Sequence, residues 1–364
     1  MPPAAAAQSF RQADSIVESG IRRGIYPGAV LVVGRGGGVL HARGFGHVTW
    51  DSRSPTPSPD TTLWDLASLT KVVGTTPAIM RLVEERKIRL DDPVERYLPR
   101  FGGGLRSRVL VRQLLDHTSG LRSYVPLFKL APTRDSAIAL LYAIPLRRPP
   151  GREVEYSDLN FILLGLMVEA VSHEPLDQFV SQAVFVPAGM GHTRYRPGPE
   201  SGAAPTGEWH GHPVCCQVND QNAARLDGAA GHAGLFSTGA DLARYARLWL
   251  NDGALDGTRV FQPGTIHRFL SPDSAGASRL LGWERPPSAT GSRTHDSAYG
   301  TLLSAHAFGH TGWTGTLLWI DPERDLFLVL LTNRSYAPRI GHSIRALRSV
   351  RGALADAVVR ASGG

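Results

Sequence analysis

The chain has 364 residues, of which 42% are hydrophobic and 20% charged, a balance that supplies a sizeable core and excludes a disordered or fibrous protein. The net charge of +7 is carried almost wholly by arginine, since lysine occurs only at Lys71, Lys87 and Lys129. No basic run is interleaved with aromatics, so no nucleic-acid partner is expected, and the dense arginines near the C-terminus read as a solvated helix face. No apolar run reaches the ~18 residues of a membrane span. The opening "MPPAAAAQSFRQADSI" lacks the basic and apolar regions of a signal peptide, so a soluble, cytoplasmic protein without membrane attachment is expected.

In chain order, Phe10, Ala13, Val17 and Ile21 form a helical stripe over residues 8–22, stopped by Pro27-Gly28. "AVLVVGRGGGVLHARGFG" reads as a β-hairpin turning at Gly36 to Gly38. Residues 68–86 read as a helix bent near Pro77. "LNFILLGLMVEAV", residues 159–171, is apolar nearly all round and predicts a buried helix. Further helices are expected over residues 176–184 and 241–250, the second capped by Thr238 with Asp241 at capping-box spacing. "TGTLLWIDPERDLFLVLLTN" reads as a second hairpin turning at Asp321-Pro322. A last helix over 344–360 buries Ile344, Leu347, Leu354 and Val358. Strands are scarce between about residues 65 and 235. The expected fold is therefore α/β (α+β): an antiparallel sheet flanked by terminal helices, built from residues 1–66 and 236–364, with a mainly helical domain, 67–235, inserted between its halves.

Two cysteines are adjacent, in "HGHPVCC". Neighbouring cysteines strain a bridge, so no disulfide is expected. His210, His212, Cys215 and Cys216 are conceivable soft-metal ligands, but four ligands within seven residues need an unusually tight loop, and a plain loop is the preferred reading. Neither a metal nor a cofactor is expected.

Three short motifs carry chemistry. In "WDLASLTKVVGTT", Ser68 and Lys71 stand three apart at a helix start and so share one face. An activated serine needs a base, a proton relay and an oxyanion hole. Lysine is a base only when neutral, so desolvation or nearby cations must lower its pKa from ~10.4. In "EVEYSDLNF", Tyr156 stands at the mouth of the buried helix, where it serves either as a proton relay or as an ordinary core cap. In "GHTGWTGT", His310, Thr311 and Gly312 precede a strand along which a substrate backbone can lie, with the Trp313 N–H available to a carbonyl oxygen.

The order Ser-x-x-Lys, Tyr-x-(Asn/Asp), (Lys/His)-Thr-Gly resembles the serine β-lactamase and penicillin-binding protein superfamily. The segments "LLDHTSGL", "PGREVEYSDLNFILLG", "AGHAGLFSTGADLARYA" and "LLTNR" extend the resemblance over most of the chain, which looks most like the class C β-lactamase-related branch. That branch holds esterases, D-aminopeptidases, D-Ala-D-Ala peptidases and transacylases, and its fold is the two-part architecture inferred above. The resemblance implies Ser68 as nucleophile, Lys71 and Tyr156 as proton-handling groups, and the N–H groups of Ser68 and Trp313 as the oxyanion hole.

Two departures bear on substrate. Asp158 stands where penicillin-recognising members carry asparagine, and an ionised carboxylate cannot donate to a substrate carbonyl. It would also hold Lys71 protonated if the two touched. Asn160 either supplies the missing amide or is only a polar residue on the same turn, the second being preferred. His310 stands where β-lactamases have lysine and is expected to be partly charged at neutral pH. Asp220, Asn222 and His232 either read the substrate at the lip of the cleft or pin a loop. His117, in "DHTSGL", is expected to be structural. The expected function is an acyl-enzyme serine hydrolase acting on a small-molecule ester or small amide. The alternative is an acyltransferase passing the acyl group to an alcohol or amine acceptor, and the least favoured reading is a non-catalytic binding protein.

Overall fold

A computed structural model describes residues 10–209, 212–272, 278–287, 297–336 and 344–363. Its main sheet is assembled from both ends of the chain. Strands β1 (Gly28–Arg35) and β2 (Gly38–Gly46) form the first expected hairpin. Strands β3 (Phe308–Thr311), β4 (Leu317–Asp321) and β5 (Leu326–Thr332) come from the far end. The order is β3-β4-β5-β1-β2, with antiparallel neighbours throughout and β1 and β5 joined at the centre, Val32 opposite Val329.

Every residue of β1 but the last is buried, because the sheet is covered on both faces. Ala29, Leu31 and Val33 pack with Trp319, Leu328 and Leu330 against the terminal helices α1 (Arg11–Arg22) and α5 (Ile344–Ala361). The alternate residues Val30, Val32, Leu318 and Val329 face a second, larger core that also holds the buried residues of α2 (Thr76–Glu84), α3 (Asp158–Ser172) and α4 (Gly239–Leu250). The period-2 alternation of side chains thus serves two cores at once.

Three features differ in detail from the sequence reading. The helix expected over 68–86 is in two parts: a π-helical turn over Lys71–Thr75, then α2, with Pro77 in its first turn, where proline's missing N–H is tolerated. The helix expected at 176–184 is α-helical over Leu176–Val180 and π-helical over Ser181–Phe185. Thr238 does cap α4 by accepting from the Asp241 N–H at 3.2 Å, but the Asp241 carboxylate turns to the Thr193 hydroxyl and the His192 N–H, so the box is half made. A small sheet went unforeseen: Trp64–Asp65 and Arg194–Tyr195 pair on either side of Leu235–Ser237. Gly207–Trp209 and His212–Val214 also pair as a short hairpin where a plain loop was expected. There His212 and Cys215 are exposed, Cys216 is half-buried, and His210 lies outside the described residues.

Candidate active site

The turn into the Ser68 helix is forced. Ala67 adopts φ +46°, a left-handed conformation that costs energy for any residue with a Cβ. The buried Asp65 carboxylate holds it there by accepting the Ala67 N–H at 2.8 Å, and it also accepts the Asn219 N–H at 2.7 Å. Burial lifts the pKa of Asp65 to about 6. Ser68 therefore emerges at a helix N-terminus, with Lys71 beneath it on the same face.

Lys71 is fully buried. Its Nζ donates to Ser68 Oγ at 3.1 Å, to Asp158 Oδ1 at 2.7 Å and to the His232 carbonyl at 3.1 Å. Tyr156 Oη donates to Ser68 Oγ at 2.8 Å. Burial pushes the Lys71 ammonium down, but the charges of Asp158 and Tyr156 outweigh it, and the net pKa lies above the ordinary lysine value. Burial likewise lifts the Tyr156 phenol above its ordinary value, against the opposing pull of Lys71. In the resting site both groups keep their protons and Ser68 Oγ accepts from both. Asp158 does touch Lys71, so the expected effect of that departure is present in the geometry.

Lys71 is held under the serine by the segment around His232. Thr75 donates to the Gly231 carbonyl at 2.6 Å, and Leu235 donates its N–H to the Thr70 hydroxyl at 3.1 Å. Gly231 is required there: a Cβ would sit 2.0 Å from the Phe161 carbonyl of α3.

On the opposite wall, His310, Thr311, Gly312 and Trp313 line a cleft of about 790 Å³ together with Ser68, Tyr156 and Arg279. Among the described residues neither the Ser68 N–H nor the Trp313 N–H has an acceptor, as an oxyanion hole requires. The Trp313 side chain is exposed, with Arg334 4.6 Å above its ring. His310 corrects an expectation. It is 3% exposed, its Nδ1 donates to the Thr311 carbonyl at 2.8 Å, and burial, with Arg279 and Lys71 nearby, holds its pKa well below the ordinary histidine value. It is a neutral imidazole, not a partly charged one.

Three arginines line this cleft, Arg279, Arg348 and Arg351, and sequence reasoning missed Arg279. A short turn bridges Glu284 to the free edge of β3 at Gly309. It places the Arg279 guanidinium 5.4 Å from the Tyr156 ring centre, with a buried Nη1 that has no hydrogen-bond partner among the described residues. Among the described residues, Glu284 is the acidic neighbour within ion-pair reach, at 3.9 Å.

Of the residues for which a substrate contact was one of two readings, Asn160 and Asn222 take the structural one. Asn160 is fully buried, its Oδ1 accepting from Ser119 Oγ at 2.6 Å and its Nδ2 lying 3.3 Å from His117 Nδ1. Two residues along a helix is a rotation of ~200°, so with Asp158 facing Lys71, Asn160 must face away. Asn222 is also fully buried and holds the loop before residue 129, donating to the Val125 carbonyl at 2.9 Å and accepting the Phe128 N–H at 3.1 Å. Asp220 caps the short helix Gln221–Arg225 by accepting the Ala223 N–H at 2.8 Å, and it also pairs with His232 Nε2 at 3.0 Å. Burial raises its pKa, but the His232 imidazole and the Ala223 N–H bring it down to about 2. Asp220 and His232 thus brace the segment whose carbonyl holds Lys71. His117 is buried against the Tyr156 ring and accepts the Ser157 N–H at 3.0 Å, fixing the mouth of α3.

The family model for beta-lactamase matches residues 13–350. The chain belongs to the beta-lactamase family. An N-acetylmuramyl-L-alanine amidase of Bacillus subtilis is 32% identical, covering 92% of this chain and 82% of that protein. Among solved structures, a hydrolase with promiscuous acyltransferase activity superposes with TM-score 0.76 at 22% identity, covering 97% of this chain and 99% of the other. A penicillin-binding protein homologue from Caulobacter crescentus gives TM-score 0.75 at 22% identity, covering 97% of each chain. The fold is that of a beta-lactamase-type hydrolase, as the sequence motifs implied. Within this beta-lactamase family member, Ser68, Lys71 and Tyr156 of the three quoted motifs meet at one point, and His310 and Thr311 stand across the cleft from them.

Proposed function

We propose that this protein is a serine hydrolase that cleaves an ester or a small amide through a covalent acyl-enzyme on Ser68. The observation that carries the reading is the pair of contacts on one hydroxyl at the mouth of a cleft: Tyr156 Oη at 2.8 Å and Lys71 Nζ at 3.1 Å from Ser68 Oγ. Once either group has lost a proton, it takes the proton of Ser68 as Oγ bonds to the substrate carbonyl carbon. The N–H groups of Ser68 and Trp313 receive the charge that develops on the carbonyl oxygen. Collapse breaks the bond to the leaving oxygen or nitrogen, which takes up the proton. Water repeats the sequence and frees Ser68. An alcohol or amine in place of that water gives acyl transfer, a second reading favoured by the open cleft of about 790 Å³ beside Ser68. Thr311 and Arg279 orient the far end of the substrate.

Labelling with a fluorophosphonate tests the reading. One adduct is expected, on the peptide that contains Ser68, and Ser68→Ala should lose both the adduct and nitrophenyl ester hydrolysis while keeping its melting temperature. Labelling at another residue, or hydrolysis retained in the variant, rules out Ser68 as nucleophile.

A further inference from the structure

Helix α5 carries a buried charge that the proposed chemistry does not use. Arg351 is 2% exposed, and no carboxylate lies within ion-pair distance of it among the described residues. Burial, reinforced by Arg334 and Arg348, pulls its guanidinium down to about 9. Burying an arginine without a counter-charge is unfavourable, and a leucine would fit the same apolar stripe between Leu347 and Leu354 at lower cost. Packing alone therefore does not account for it.

Its contacts do. Arg351 Nη2 donates to the Gly312 carbonyl and to the Thr316 carbonyl, each at 2.7 Å. These carbonyls lie on either side of Trp313, at the two ends of the turn that joins β3 to β4. The turn is tied from its other side to the residues just before the serine. Thr314 Oγ1 donates to the Asp65 carbonyl at 2.7 Å and Thr316 Oγ1 to the Leu66 carbonyl at 2.9 Å. Gly312 lets the two segments approach: a Cβ there would lie 2.1 Å from Thr316 Oγ1 and 2.4 Å from the Leu66 carbonyl. Two threonine hydroxyls thus fix the turn against the Ser68 segment, and Arg351 fixes its two ends against each other.

We propose that Arg351 is a positioning residue of the oxyanion hole, holding the Trp313 N–H at a set place relative to the Ser68 N–H by clamping the Gly312 and Thr316 carbonyls. The proposal rests on the serine-hydrolase reading. It predicts that loss of the clamp damages stabilisation of a tetrahedral oxyanion far more than substrate binding. Removing one oxyanion donor outright costs about 10²–10³ in kcat, so a misplaced donor should cost about 10- to 100-fold.

The test compares Arg351→Met and Arg351→Lys with the wild type on nitrophenyl butyrate and on benzeneboronic acid. In the adduct, Ser68 Oγ bonds to boron and releases its proton, and the tetrahedral boronate places an oxygen in the hole. For Arg351→Met, kcat should fall about 10- to 100-fold with KM changed by less than about threefold, and the boronate dissociation constant should rise by a factor similar to the fall in kcat. Arg351→Lys, which keeps a cationic donor on this helix face, should recover kcat to within about tenfold of wild type. If Arg351→Met does not fold, Arg351→Gln takes its place. Boronate affinity unchanged in a folded variant overturns the proposal, as does a loss that falls mainly on KM. A wild type that shows no tetrahedral boron signal overturns the serine reading itself, and the two failures are thereby distinguished.

Discussion

Replacing Asp158 by asparagine removes one charge from the most consequential pair in the site while keeping its shape and one acceptor oxygen. Lys71 is fully buried and Asp158 Oδ1 lies 2.7 Å from its Nζ, with 19% of the Asp158 side chain exposed. Burial alone pushes Lys71 toward the neutral form, and Asp158 more than reverses this. Two unit charges ~4 Å apart attract by about 4 kcal/mol at an effective dielectric of about 20. Even if solvent screens half of that, the remainder exceeds the ~1.4 kcal/mol that changes a protonation ratio tenfold. The sign follows: without Asp158 the neutral amine forms at lower pH, so the acid limb of the rate profile moves toward lower pH. For Asp158→Asn, kcat/KM at pH 7, expressed as a fraction of its alkaline plateau, should rise at least about tenfold over wild type. The assay is nitrophenyl butyrate hydrolysis between pH 6 and 10, with Ser68→Ala as the blank for spontaneous hydrolysis. An acid limb that stays in place, or moves to higher pH, refutes the reasoning and makes Lys71 a fixed cation instead of a base.

Other consequences follow from the same geometry. Tyr156→Phe removes the donor 2.8 Å from Ser68 Oγ and should lower kcat by at least about 10²-fold; a rate within a few-fold of wild type would make Tyr156 purely structural. Gly312→Ala forces a methyl to within 2.1 Å of Thr316 Oγ1. It should cost about 1–3 kcal/mol of stability, measured by urea unfolding, and at least tenfold in kcat, which the nitrophenyl assay reads. A nitrophenyl butyrate should be turned over with at least tenfold higher kcat/KM than a chromogenic cephalosporin. Asp158 cannot donate to the β-lactam side-chain carbonyl, and an unmet buried hydrogen bond costs about 1–3 kcal/mol. A cephalosporin that wins this comparison would remove Asp158 as the reason.

The parts of the fold legible in the sequence are those whose pattern is long. The β1–β2 hairpin shows as a β-branched run with a glycine turn, and α3 as thirteen nearly unbroken apolar residues. The small sheet around Leu235–Ser237 was not legible because two of its strands are two residues long, too short to show alternation. The serine, lysine and tyrosine were legible because fixed spacings bring each to a helix mouth. Asn160 was read preferentially as a polar residue of its helix turn, and helix geometry, which puts it on the far side from Asp158, agrees. Arg351 was read as part of a solvated face, yet it occupies the stripe Leu347, Leu354, Val358 at helical spacing, and a charged residue on an apolar stripe is the signal that marks it. Arg279 carries no comparable signal: the bridges of Arg279 with Glu284 and of Glu284 with Gly309 bring it to the cleft.

The distribution of charge explains why the two departures from the penicillin-recognising pattern do not act alike. His310 was expected to be partly charged where β-lactamases have lysine, and as a neutral imidazole it offers no cation, but Arg279, Arg348 and Arg351 line the same cleft. That departure therefore relocates a positive charge more than it removes one. Asp158 is different, because it acts on Lys71 itself. It holds Lys71 protonated and leaves the serine between two groups that both hold protons at rest. A raised pKa makes each a stronger base once deprotonated and a scarcer one at neutral pH. Such groups are matched to leaving atoms that are themselves basic, alkoxide oxygen or amine nitrogen, which take a proton readily from an acid of high pKa. A leaving group as stable as nitrophenolate needs no such proton. The arrangement thus favours alkyl esters and small amides as the substrates for which both Lys71 and Tyr156 are needed, with activated aryl esters reporting mainly on the attack by Ser68.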